Sequence, residues 1–190
     1  MPSSRSWLPV TPIDLLTLYD EIWLHDFEFV PQPGEHPDVV CLVAHELRSG
    51  RTLRLWRDKH YGPVNELGEQ PPYRTDSRVL FVNFVANAEC ACHLALGWPL
   101  PKNILDLSPL FRNLVNGRHL PEGKGLIGAL RYYGLRNIGP KKKDAMRERI
   151  MRGWPFTPDE KKAILAYCAE DVEALQLLLP RMLQEITRWT

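Results

Sequence analysis

The stretch LHDFEFV, residues 24–30, sets Asp26 and Glu28 among Leu24, Phe27, Phe29 and Val30, which otherwise read as a buried strand. Side chains alternate along a strand, so the two acids point to one face about 7 Å apart, and Phe27 and Phe29 point to the other. Far along the chain, Tyr167 and Asp171 stand four residues apart in YCAED, on one face of a helix beside an apolar stripe of Leu165, Cys168, Val172, Leu175 and Leu179. Between them, Glu89 falls where RVLFVNFVANAE passes from strand to helix, a junction at which side chains line clefts beyond strand ends. Burying a carboxylate without a partner is costly, and several brought together repel one another. A divalent cation removes both objections, and oxygen donors of this kind suit Mg²⁺ or Mn²⁺.

Three strands, EIWLHDFEFV, DVVCLVAHELRSG and RTLRLW, form a meander, the last two joined by the turn signal Ser49-Gly50. Residues 58–78 read as a polar, Pro-containing loop, RVLFVNF as a fourth strand, NAECACHLALG as a helix stopped at Gly97, and NILDL as a short fifth strand. TPIDLLTLYD, residues 11–20, reads as a short helix or turn before the first strand. Beyond residue 107 the pattern is helical: PLFRNLVN, GLIGALRYYG, KKKDAMRERIMRG, and a long last helix that starts at Thr157-Pro158 with Asp159 and Glu160 and is expected to kink or break at Pro180. The fold class is therefore α/β, with a mixed sheet of about five strands flanked by helices.

A length of 190 residues suits one domain, with its core at about 20–185. Lys and Arg total 24 against 23 Asp and Glu, so any attraction for nucleic acid must be local. Cys41, Cys90, Cys92 and Cys168 form no CxxC pair and read as reduced thiols, which favours a cytoplasmic setting, and Cys90, Cys92 and His93 are a poor match to structural zinc spacing. The N-terminus carries no apolar signal-peptide core, and no later apolar run is long enough for a membrane span.

Asp26-Phe27-Glu28, then Glu89, then Tyr167 to Asp171, in that order, resemble the motifs of the DEDD superfamily of 3′-to-5′ exonucleases, in its DEDDy branch with a Tyr-x-x-x-Asp third motif. AECACHLALGWPLPKNILDL is similar to the proofreading exonuclease part of bacterial and phage family A DNA polymerases. The resemblance covers roughly residues 20–185 and implies a ribonuclease-H-like fold. It also implies hydrolysis of the terminal phosphodiester of single-stranded nucleic acid, DNA favoured and RNA possible, to nucleoside 5′-monophosphates with two Mg²⁺ or Mn²⁺ ions. By the same resemblance Asp26 bridges the ions, Glu28 and Asp171 complete the nucleophile-side ion, Glu89 acts on the second ion through water, and Tyr167 orients the attacking water. The family usually carries Asp at the second motif, so Glu89 takes that role here with Asp106 as its rival; Asp106 reads better as a structural acid.

Six basic residues in 141–152 stand against Asp144 and Glu148, and Lys141, Lys142, Lys143 and Arg147 are the candidates for neutralising phosphates, with a solvated helix face as the plainer reading. Tyr132, Tyr133 and Trp154 are stacking candidates by position, with packing the simpler role for each. The altered second motif leaves room for a catalytically silent module binding nucleic acid or a protein. A polymerase or another nucleic-acid-processing protein is the partner class to which the resemblance points.

Overall fold

A computed structural model describes residues 16–57, 66–135 and 140–187, the side chains of 140–142 and 187 excepted. The expected helix or turn at 11–20 falls largely outside the described residues, although Leu16 and Thr17 are helical. The strands are β1 (Glu21–Val30), β2 (Asp38–Glu46), β3 (Thr52–Trp56), β4 (Val79–Asn83) and β5 (Ile104–Asp106). The helices are α1 (Ala86–Ala95), α2 (Leu107–Leu114), α3 (Leu126–Tyr132), α4 (Pro140–Met151) and α5 (Pro158–Thr187). The five-stranded sheet has the order β3-β2-β1-β4-β5. The meander β1-β2-β3 is antiparallel, and β4 and β5 join it in parallel.

Alternation along β1 divides the core in two. Ile22 and Leu24 pack toward α5 with Val172, Leu175, Leu178 and Met182. Trp23 and Phe27 enter a second cluster on the other face, with Leu42, Phe81 and Trp98. That cluster also takes Leu67 and Tyr73, so part of the polar loop between β3 and β4 is anchored by two buried side chains. Asp26 and Glu28, at the even positions, continue the row of Ile22 and Leu24 toward α5, as period-two alternation requires.

Two local devices hold the helices that frame the site. Thr157 Oγ1 accepts from Glu160 N at 3.3 Å while Glu160 Oε2 accepts from Thr157 N at 2.8 Å, a reciprocal cap that starts α5. Arg149 on α4 clamps the same Glu160 with its guanidinium and holds Glu160 down at a pKa of about 2. Arg149 is thereby spent on joining α4 to α5. Of the kink or break expected at Pro180, the break does not occur: α5 continues through the proline, and burial of Leu178, Leu179, Met182 and Leu183 against the sheet carries the helix past the missing N–H.

Candidate active site

The ladder between β1 and β4 ends at Leu24 and Val82, so β1 runs on past its parallel neighbour. Side chains take over where the strand stops. Asn83 Nδ2 donates to His25 O at 3.0 Å, and Glu89 Oε2 accepts from Phe27 N at 3.1 Å. Cys168 Sγ donates to Asp26 O at 3.2 Å, which ties α5 to the same backbone. The stretch of β1 that carries both acids is therefore fixed by three side chains from three other places in the sequence.

Glu89 reaches Phe27 because of how α1 begins. Val85, the residue before the helix, has φ 79° and ψ 63°, a left-handed conformation that is a true outlier for a β-branched residue. Asp106 holds it there: its carboxylate accepts from Val85 N at 3.0 Å and Ala86 N at 2.9 Å, and from Ser108 N at 2.9 Å at the start of α2. Asp106 caps two helices, a structural acid, and Glu89 is the one that lines the cleft. Asp106→Ala should accordingly lower stability by about 2 kcal/mol or more, since three backbone N–H groups lose their acceptor. Urea unfolding measures this, and an unchanged midpoint would contradict the assignment.

Asp26, Glu28, Glu89, Tyr167 and Asp171 line one cleft of about 360 Å³, with Phe84 and Ala88 from the β4–α1 junction and Lys143, Arg147, Ile150 and Met151 from α4. Burial raises the pKa of Asp26 to about 8, with the Asp171 charge adding to the rise. Burial and then the Asp26 charge hold Glu28 and Glu89 well above the ordinary carboxylate range. Asp171 is also raised by burial, against the pull of Lys143. Burial drives the Tyr167 phenol up, so it stays protonated and can donate a hydrogen bond.

Acids elsewhere in the fold supply the contrast that tests whether a metal ion suits this cleft. Buried Glu46 accepts from Ile22 N at 2.9 Å and Ser49 N at 2.6 Å, so backbone donors consume its charge, as they do for Asp106. Asp26 Oδ2 is buried and meets no donor. The other two such atoms among the described residues, His25 Nε2 and Asn83 Oδ1, belong to a pair joined at 2.9 Å, where the His25 ring faces Phe27, Phe81 and His93. Among the described residues, Asp26, Glu28 and Cys168 bring one ligand atom each within 4.8 Å of one another. The hard oxygen donors of this cleft suit a hard divalent cation. Asp171 is not a member of that tight group, and Lys143 Nζ donates to both of its oxygens, at 2.9 and 2.7 Å.

No protein-family model matches the chain, and no curated protein matches it. Solved structures do. A nuclease in its apo form matches at 13% identity over 90% of this chain and 75% of that one, with a TM-score of 0.59. Escherichia coli RNase D, an exoribonuclease involved in structured RNA processing, matches at 16% over 93% of this chain and 44% of its own, TM-score 0.54. Trypanosoma brucei RNase D in complex with RNA U12 matches at 17% over 89% and 59%, TM-score 0.56. The chain has a ribonuclease-H-like α/β fold, which these nucleases share. It spans about half the length of the two RNase D chains.

On this fold, the five candidate catalytic residues from sequence meet in one cleft, as does Arg147. Lys143 is there too, but bonded to an acid of the site. The side chains of Lys141 and Lys142 lie outside the described residues. Tyr132 and Tyr133 pack on Phe111 and each other, and Trp154 packs on Trp56 and Phe156 and bonds Asp38, so these three are packing residues. Sequence reasoning missed the thiol of Cys168 beside the acids, for which its i−3 spacing from Asp171 on the stripe of α5 was the available signal. It also missed Phe84, whose signal was the strand-to-helix junction itself.

Proposed function

We propose that the protein is a metal-dependent 3′-to-5′ exonuclease that hydrolyses the terminal phosphodiester of single-stranded nucleic acid and releases nucleoside 5′-monophosphates. The observation that carries this reading is the donorless, buried Asp26 Oδ2 beside Glu28, in a cleft that also holds Glu89, Tyr167 and Asp171. Held among these carboxylates, two Mg²⁺ or Mn²⁺ ions would supply an activated water and stabilise the charge developing on the leaving 3′ oxygen. Asp26, Glu28 and Asp171 are the proposed ligands, with Glu89 acting on the second ion through water while its other task is to hold Phe27 N. Tyr167, a neutral phenol in the cleft wall, orients the attacking water by hydrogen bonding, a positioning role. Arg147, and Lys143 once it leaves Asp171, meet the phosphates that pass along α4.

The named neighbours bear on the substrate. One RNase D structure holds RNA and the other enzyme is described as an exoribonuclease, so RNA and DNA enter the proposal on equal terms. A polymerase or another nucleic-acid-processing protein remains the partner class suggested by sequence. The test offers 3′-labelled single-stranded DNA and RNA with Mn²⁺ or with chelator. Release of labelled mononucleotide from at least one substrate, dependent on Mn²⁺, is expected. Binding of both strands without cleavage under any metal condition would instead identify a silent module of the same fold.

A further inference from the structure

Among the described cations, Lys143 stands apart because it is committed to a carboxylate that the proposed reaction needs. Its ammonium contacts both oxygens of Asp171, at 2.9 and 2.7 Å, and lies 5.6 Å from the Tyr167 ring centre. The pair is largely out of water, with 23% of the Lys143 side chain and 11% of the Asp171 side chain exposed. Asp171 lies outside the tight ligand group formed by Asp26, Glu28 and Cys168.

We propose that Lys143 is a built-in counter-cation that competes with a divalent ion for Asp171, so that the cleft completes its ligand set only when this lysine leaves the carboxylate. The inference rests on the metal-dependent reading above. A carboxylate whose two oxygens are both engaged by an ammonium has few lone pairs left for an ion, and an ion bound to the same oxygens would repel the ammonium across a poorly screened gap. The two cations therefore exclude one another. In the absence of metal the lysine also keeps the acids tolerable, since its charge opposes the rise in the pKa of Asp171, Asp26 and Glu28.

A consequence is coupling between substrate and metal. A phosphate in the cleft offers the displaced ammonium a second anion, so occupancy by a phosphorylated ligand favours metal at Asp171, and metal favours the phosphorylated ligand by the same factor. Lys143 is then a positioning residue with two stations, Asp171 in the empty cleft and phosphate in the loaded one.

The experiment is a Mn²⁺ titration of the full chain without nucleic acid, by the loss of the free-ion spectroscopic signal, on the wild type, Lys143→Met, Arg147→Met, Asp171→Asn and the Lys143→Met/Asp171→Asn pair, with Lys143→Gln in reserve should the methionine variant fail to fold. Lys143→Met is expected to bind Mn²⁺ roughly tenfold more tightly than wild type, with no such gain in the Asp171→Asn background. A nucleoside 5′-monophosphate as probe should tighten Mn²⁺ in the wild type more than in Lys143→Met. An unchanged or weakened constant in Lys143→Met, or an equal gain in Arg147→Met, overturns the competition and leaves the exonuclease reading standing. Absence of Mn²⁺ binding by the wild type and all variants overturns both.

Discussion

Asp26→Asn and Asp171→Asn, made separately, are each expected to reduce Mn²⁺-dependent release of mononucleotides from a 3′-labelled strand by roughly a thousandfold or more, because the proposed ligands act as a unit. The two variants should part company in stability without metal. Asp26 is an acid whose charge the fold disfavours, so the neutral amide relieves a strain and the metal-free protein gains stability near pH 8. Asp171 carries a counter-cation that opposes the burial of its charge, so its amide brings no comparable gain: relief of the buried carboxylate is offset by the Lys143 ammonium left without a charge partner. A gel assay of the label and thermal unfolding of the same preparations check both parts. Undiminished hydrolysis in either variant contradicts the proposed ligand set.

The second large effect concerns pH. Asp26, Glu28, Glu89 and Asp171 all have raised pKa values in the folded chain, mainly through burial, and Asp26 reaches about 8. Between the ordinary carboxylate range and pH 8 the folded state thus binds more protons than the unfolded one. The stability these groups contribute is fully present below about pH 4 and is lost as pH rises through the folded values. In chelator, the melting temperature should fall from pH 7 to pH 8.5 by on the order of 5 °C, a range above the one in which the buried, neutral His25 and His93 act in the opposite direction. Millimolar Mn²⁺ should reverse the slope, because ionised carboxylates bind the ion and the binding strengthens as protons leave. Asp26→Asn should flatten the chelator curve. A melting temperature that rises with pH over this range in chelator would contradict the burial assigned to these acids.

Much of this arrangement was legible in the sequence because it depends on short-range periodicity. Two-residue alternation in β1 put Asp26 and Glu28 on the face turned to α5, and the i, i+4 spacing in α5 put Tyr167 beside Asp171. The strand-to-helix junction likewise marked Glu89, whereas the structural reading of Asp106 came from the resemblance and its capping role from the structure. What stayed hidden is set by approach between distant elements. Nothing local distinguishes Lys143 from its basic neighbours, yet the packing of α4 against α5 delivers it to Asp171 and assigns Arg149 to Glu160. Cys168 reads as one more member of an apolar stripe until α5 is laid across β1 and its thiol meets the backbone of Asp26. The helix is unbroken at Pro180 for a related reason: a missing N–H is a local cost, and burial of the following turns outweighs it.

The most direct test of a shared divalent ion is a crystal of the full chain grown or soaked in Mn²⁺, with diffraction recorded to exploit the anomalous scattering of manganese. The account predicts a peak within coordination distance of Asp26 and Glu28, with Asp171 turned toward it and Lys143 moved off that carboxylate. A cleft without anomalous density at saturating Mn²⁺, with Lys143 still seated on Asp171, would contradict it.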